Sequence, residues 1–590
     1  MTSSRIQKLS VDRQQGWKGY GHQAFVSCLT GLYSCQWKHH QHTGSQFGHF
    51  CCSKLECGSF AVIIVTFCLS LVFLYFWTEA QNDYNDFDWF NFGNLGFWFP
   101  WSMVLLVTAA VFFTYIAFLL LLSVCLLSEG QRLYLHWGHK IGILVTLIFS
   151  IAATAVLSDL WNEKWETVLL SFQMTAPYLQ VGGVLLMIFL SWPLASHLFC
   201  LRQRVRRMVI IALCGAVLIS LYLVPLGMYS PCIKERNSLG PAPALIGHRG
   251  APMLAPENTY MSFEKVVAAG GDGLETDVTI SYDGMPFLMH DKSLRRTTNV
   301  EDIFPNRTRS PAAMFTWNEL QQLNAGAWFF SVRPTEVHFN SLGLEHVMQN
   351  PFKTASSLSP EDRTQAQNQS VCTLRAVLEL AAQYGKLVIF DLYRPPRGHP
   401  YRDMWISRTL EVIQSESSIH SSQVLWLPPE LRELVQETDP ELQQTSGSLA
   451  PVEELQHNHI VRLNLHYSSM SEAEISKYSA VNISTNLYVV SEPWLFSLAW
   501  CAGVHSVTTN AVHILKSLRR PLFFMTPQEY SAMWVLTDMV SLIVILAVFI
   551  FHWWKEHRVT LCSGRNTIHD NGRSPEFRTG MNDVWSLTML

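Results

Sequence analysis

His248 and Arg249 stand between two glycines in Ile246-Gly247-His248-Arg249-Gly250, where a short apolar run from Ala244 stops abruptly. That pattern predicts a buried strand delivering two polar side chains at its C-terminal mouth. Pro252 and Pro256 stiffen the exit loop, and Asn258 or Thr259 can cap a helix starting near Ser262. A histidine and an arginine so held suit proton transfer and phosphate binding. A second strand follows over Gly273–Val278, with Glu275 and Asp277 on one face by the period of two. Two carboxylates on one strand face are poor core residues and good ligands for a hard cation. The next apolar run, from Pro286, ends in a second histidine, His290, followed by Asp291.

These stretches, with Pro256-Glu257-Asn258-Thr259 and with Leu294 and Arg296-Thr297-Thr298-Asn299 after His290-Asp291, lie in an order and spacing that resembles the glycerophosphodiester phosphodiesterase family. With the flanking apolar runs, the chain looks like that family's multi-pass membrane branch. The resemblance implies a phosphoric diester hydrolase acting on glycerophosphodiester or glycerophospholipid-type substrates. It implies His248 and His290 as the acid–base pair, Arg249 as a phosphate contact, and Glu275 and Asp277 as metal ligands. Asp391, in Val388-Ile389-Phe390-Asp391-Leu392, takes the place of the third carboxylate, for which the family usually has Glu. The cofactor so implied is a divalent cation, and an all-carboxylate set suits Ca²⁺ or Mg²⁺. Glu257 is expected to fix Arg249 through a bidentate pair. Two places depart from the family pattern. Tyr393, with Arg394 beside it as a substrate-binding candidate, stands where a Lys is common. Tyr488-Val489-Val490-Ser491 and Gly503-Val504-His505-Ser506-Val507-Thr508-Thr509-Asn510 replace motifs near the substrate headgroup. In the chemistry implied, the glycerol hydroxyl next to the phosphate-bearing carbon attacks phosphorus, one histidine acting as base and the other as acid.

Residues 241–527 alternate apolar strands with helical stretches, the pattern of a parallel α/β fold. Further strands are expected at Leu387–Leu392, Val424–Leu427, Ile460–Leu465, Ile483–Val490, Ser506–Thr509 and Leu522–Met525. Functional residues at strand C-termini fit a (β/α)8 TIM barrel. The strand-poor stretch from about 299 to 370 is expected to be an insertion that shapes the cleft, with Trp328 as a packing anchor.

The chain has 590 residues, 49% hydrophobic and 15% charged, which points to membrane spans. Net charge is −4, giving no case for nucleic-acid binding. Apolar runs long enough to cross a bilayer fall near Ser59–Trp77, Trp101–Leu127, Ile141–Leu157, Tyr178–Leu194, Met208–Met228 and Met533–His552. Their flanks divide the chain into a Cys-rich N-terminus (1–58), five spans (59–228), a catalytic domain (229–530), a sixth span (531–552) and a tail (553–590). Arg132, Lys140, Arg202, Arg204, Arg206, Arg207, Lys555 and Arg558 mark cytosolic loops. Both termini are then cytosolic, and the catalytic domain faces the exterior or a lumen, at the plasma membrane or an endomembrane. The sequons at Asn306, Asn368 and Asn482 all fall in that domain and are candidate glycosylation sites. Asp538, in the last span, reads as interfacial or helix-packing. Cys28, Cys35, Cys51, Cys52 and Cys57 are reduced thiols, palmitoylation sites or partners of Cys562. Two further readings stand beside the main one: cleavage of glycosylphosphatidylinositol anchors or lysophospholipids at the outer leaflet, and a non-catalytic receptor or adhesion module. No protein partner is legible.

Overall fold

The structure, a computed structural model, describes residues 24–36, 54–95, 99–129, 131, 133–200, 204–330, 352 and 354–568. Cys51, Cys52, Arg132, Arg202 and the middle of the insertion lie outside the described residues. Crossing about 30 Å of hydrocarbon takes about 20 apolar residues in a helix. Among the described residues, six helices meet that requirement: Leu55–Leu95, Trp101–Leu127, Trp137–Leu160, Lys164–Ser196, Arg207–Gly227 and Pro527–Lys555. The chain is thus a multi-pass α-helical membrane protein. Exposed Val107, Ile148, Val209 and Ile543 give the bundle an apolar outer surface. Asp538 is buried in the last of these helices and accepts a hydrogen bond from Gln180 Nε2 at 3.2 Å, a helix-packing contact. The first helical run spans 41 residues, about twice what crossing needs. Its last part, a 3₁₀ turn at Ala80–Asp83 and the helix Tyr84–Leu95, therefore extends past the apolar stretch.

The second part is a (β/α)8 TIM barrel. Eight parallel strands close into a ring: β1 (Ala244–Gly247), β2 (Gly273–Ile280), β4 (Leu387–Leu392), β5 (Val424–Trp426), β6 (Gln443–Ser446), β7 (Arg462–His466), β8 (Ser484–Tyr488) and β9 (Ser506–Thr509). Closure comes from β1, which pairs with both β2 and β9. The short β3 (Pro286–Leu288) lies outside the ring, antiparallel to β2. Side-chain alternation divides each strand between two environments. Ile246, Ile389 and Leu425 meet in a small buried cluster of their own, while Val388, Phe390 and Trp426 join the large core shared with the surrounding helices.

Two expectations are corrected here. Leu522–Met525 is not a strand; only Met525 bridges, to Ile233. Once β9 pairs with β1, the ring has no edge left to accept another strand. The strand that completes the ring is β6, which the apolar pattern does not mark because Gln444 and Thr445 are polar yet buried. Arg432 Nη1 satisfies Gln444 Oε1 at 2.9 Å. A disulfide joins Cys232 to Cys501, with Cα atoms 5.0 Å apart. It ties the segment leaving the fifth span to the helix Pro493–Cys501.

Candidate active site

The barrel registers β2 against β4 so that Asp277 stands beside Asp391, with Glu275 beside Ile389. Period two then puts Glu275, Asp277 and Asp391 on one face, the face that also carries Ile389 of the apolar cluster with Ile246 and Leu425. One oxygen from each of the three carboxylates lies within 4.8 Å of the others. Such crowding is electrostatically costly without a cation. Burial pushes the Glu275 carboxyl well up, and Asp277 and Asp391 add to it. Burial and then Asp277 push Asp391 up to about 6. Three hard oxygen donors, mutually repelling, are the donor set a divalent cation such as Ca²⁺ or Mg²⁺ takes, so the residues present fit the group.

His248 follows β1, and its backbone N–H donates to Thr509 O at 2.9 Å. The two glycines around it are sterically required. A Cβ on Gly247 would lie 2.4 Å from Val266 Cγ2, and one on Gly250, at φ +84°, would lie 2.3 Å from Ser262 Oγ. Arg249 takes the left-handed conformation at φ 53°, which turns its N–H to Glu275 Oε2 at 2.7 Å. The Arg249 Nη1 reaches Glu257 at 3.2 Å, and its Nε lies 3.3 Å from Asp277 Oδ2. The latter is a charge contact without hydrogen-bond alignment, since Nε is otherwise unpartnered and buried.

The two histidines sit in unlike surroundings. His248 Nδ1 lies 2.7 Å from Asn510 Oδ1. An amide oxygen accepts, so the proton is assigned to Nδ1 and the lone pair to Nε2. Burial and then Arg249 lower His248 to about 4, so the ring is neutral at neutral pH. His290 is exposed at the mouth, and its Nδ1 lies 2.9 Å from Asp291 Oδ1. Asp291 is itself gripped by Arg296, through Nε at 2.7 Å and Nη2 at 2.9 Å. Burial would raise the Asp291 carboxyl, but Arg296 and the His290 bond outweigh it and hold it well below the usual carboxylate range.

The structure thus brings together His248, Arg249, Glu257, Glu275, Asp277, His290 and Asp391. Two readings change. The bidentate partner of Glu257 is Arg296, at 2.6 and 2.7 Å, and Arg249 holds it by one nitrogen. Burial pushes Glu257 up, yet Arg296 and then Arg249 bring it down to about 2. Arg394 does not join the cluster: Asp403 at 2.6 Å and the Arg402 carbonyl at 3.2 Å hold it on an exposed loop. Its neighbour Tyr393 does join, donating to Asp277 Oδ1 at 3.1 Å. Asn258 is a positioning residue in place of a cap; its Nδ2 donates to Asp277 Oδ2 at 3.1 Å, and Thr259 caps the helix Tyr260–Ala268. Asn510 and Arg296 lie in stretches singled out in the sequence, but their contacts with His248, Glu257 and Asp291 were not read from it. Asn306, Asn368 and Asn482 are all exposed.

Residues 248–424 match the Glycerophosphoryl diester phosphodiesterase family. Human glycerophosphodiester phosphodiesterase domain-containing protein 5 is 46% identical over 543 residues, covering 92% of this chain and 86% of that protein. The mouse glycerophosphoinositol inositolphosphodiesterase is 40% identical over 529 residues, covering 89% of this chain and 93% of its own length. Among solved structures, an Oleispira antarctica phosphodiesterase in complex with the product sn-glycerol-3-phosphate aligns over 47% of this chain and 96% of its own, at 22% identity and TM-score 0.36. Similar to such relatives along nearly its whole length, the chain belongs to the glycerophosphodiester phosphodiesterase family and is a phosphodiesterase.

Proposed function

We propose that this enzyme hydrolyses glycerophosphodiesters at the outer face of a membrane, by metal-dependent acid–base catalysis with His248 as base and His290 as acid. The observation that carries the reading is the contrast between the two rings: His248 is neutral against Asn510, and His290 is backed by the Asp291 carboxylate. Glu275, Asp277 and Asp391 would hold the divalent cation, Ca²⁺ or Mg²⁺. When bound, it supplies charge neutralisation on the phosphate oxygens.

The residues do the rest. Arg249, pre-set by Glu257, faces the phosphate. His248 Nε2 takes the proton of the glycerol hydroxyl beside the phosphate-bearing carbon. That oxygen attacks phosphorus, the P–O bond to the headgroup breaks, and His290 gives the departing alcohol its proton. Water then opens the cyclic phosphate with the roles reversed: His290 accepts a proton from water and His248 returns one to the glycerol oxygen. General acid–base help of this kind is worth roughly 10²–10⁴-fold.

The roles separate by leaving group. Each of His248→Ala and His290→Ala should cost at least about 10²-fold in turnover on a glycerol phosphodiester with an alkyl alcohol as headgroup. With a nitrophenyl headgroup, whose departure needs no proton, headgroup release in the first turnover, which precedes opening of the cyclic phosphate, should recover most of its loss in His290→Ala and not in His248→Ala. Equal losses on both substrates would remove His290 as the acid.

The outward orientation draws support from the Lys and Arg bias of the loops, and from the Cys232–Cys501 disulfide, since such bonds persist in oxidising compartments. The domain limits given above, with the catalytic domain at 229–530, are part of the same proposal.

A further inference from the structure

The 3₁₀ turn Ala80–Asp83 and the helix Tyr84–Leu95, which continue the first membrane span, lie on the mouth of the barrel and are fastened there at several points. Asn82 Nδ2 donates to Val489 O at 2.8 Å, and Asn82 Oδ1 accepts from Ser491 N at 2.8 Å, in the loop after β8. Asp83 pairs with Lys164 and accepts from the Tyr467 hydroxyl after β7, and that hydroxyl also meets Thr167 Oγ1 at 2.8 Å. At the far side, the Trp89 ring covers the Arg296 guanidinium, 4.4 Å from centroid to Cζ, and lies 6.3 Å from the Trp328 ring in the insertion. Positions 86 and 89, three apart in the helix, share a face, and Asn82 lies one turn before them. Asp86 thus falls between the two anchorages, near enough for Arg249, Lys164 and His290 to act on its carboxyl.

Arg296 is the junction of the site. It is 8% exposed, and its nitrogens are committed edge-on to two carboxylates: Nη1 and Nη2 to Glu257, Nε and Nη2 to Asp291. Glu257 in turn holds Arg249, and Asp291 holds His290. A guanidinium with its edge so occupied has its faces left for stacking, and Trp89 takes one of them. Stacking fixes the plane of the guanidinium and keeps water off it. The plane of the guanidinium sets where both carboxylates lie.

We propose that Trp89, a residue of the membrane part, is a positioning residue for catalysis: by stacking on Arg296 it holds His290 and Arg249 in register, so the first outer segment of the membrane bundle is a working wall of the active site. This rests on the acid role of His290 given above. Loosening Asp291 would misaim His290, so the loss should concentrate in the step that needs an acid.

The test uses the full-length protein and the ratio of first-turnover headgroup-release rates on two glycerol phosphodiesters, one with an alkyl-alcohol headgroup and one with a nitrophenyl headgroup. That ratio does not depend on how much of a preparation is folded. Trp89→Ala should lower that release rate about tenfold on the alkyl substrate and less than about threefold on the nitrophenyl one, within the range of general acid help. Trp89→Phe, which keeps a ring over Arg296, should restore most of the loss. If Trp89→Ala leaves too little turnover to follow, Trp89→Leu gives the same ratio. An unchanged ratio in the Trp89 variants, beside a changed ratio in His290→Ala, would overturn the positioning role and leave the proposed function standing. An unchanged ratio in His290→Ala as well would overturn the acid role on which it rests.

Discussion

Asp391 is the residue where charge and chemistry meet most directly. Its carboxyl, pushed up to about 6 by burial and Asp277, holds a proton below that pH when no cation competes. Cation binding must displace the proton, so affinity weakens as pH falls. One such group predicts about a tenfold loss in affinity from pH 7 to pH 5, and the raised Glu275 adds to it. Calorimetric titration with Ca²⁺ or Mg²⁺ across that range checks the sign: an affinity that rises on acidification would exclude these carboxylates as ligands. Because His248 is lowered to about 4, its own protonation enters only at more acid pH. Raising the cation concentration should therefore extend activity toward pH 5. Glu275→Ala and Asp277→Ala should each weaken cation binding and collapse turnover while the far-ultraviolet circular dichroism stays near that of the parent. Full activity of either variant in chelator would reduce these acids to solvated strand residues.

The turn Gly247–Gly250 shows how an element fixes a site. Gly250→Ala would force a Cβ to within 2.3 Å of Ser262 Oγ at a φ of +84° that only glycine adopts easily. It should lower stability and turnover together; a variant with parent-like melting and kinetics would contradict the steric reading. That turn was legible because glycine, histidine and arginine are local signals at the end of an apolar run. So was the pairing of Glu275 with Asp277, which needs only the period of two. Strands β1, β4 and β5 were legible because each is a mostly apolar run. β6 was not, because the residues it buries are Gln444 and Thr445, whose burial is offset by partners remote in sequence. The supporting contacts were not legible either. Asn510 meets His248 across 262 positions, and Tyr393 meets Asp277 across 116. Nothing in either residue's surroundings along the chain announces a partner that only strand pairing, β1 with β9 and β2 with β4, brings near. Arg394 shows the converse: beside an active-site strand in sequence, it is drawn off by Asp403.

At the scale of the whole molecule, the barrel and the membrane bundle are not beads on a string. Leu170 and Met174 of the fourth span join the same buried core as the barrel residues Val388 and Phe390. Tyr467 ties the barrel to Asp83, Lys164 and Thr167. The orientation of this unit is open to test. With the barrel outside, at least one of the exposed Asn306, Asn368 and Asn482 should carry a glycan in a eukaryotic cell, and glycosidase treatment should increase gel mobility. Unchanged mobility, together with a barrel spared by protease added to intact cells, would place it on the other side. The central claim, that His248, His290 and the three-carboxylate centre hydrolyse a glycerophosphodiester, is tested most directly on the purified full-length chain by following release of the headgroup alcohol and the glycerol phosphate. Turnover should vanish in chelator, return on adding Ca²⁺ or Mg²⁺, and fall at least about 10²-fold in His248→Ala. Undiminished turnover in chelator and in His248→Ala would contradict it.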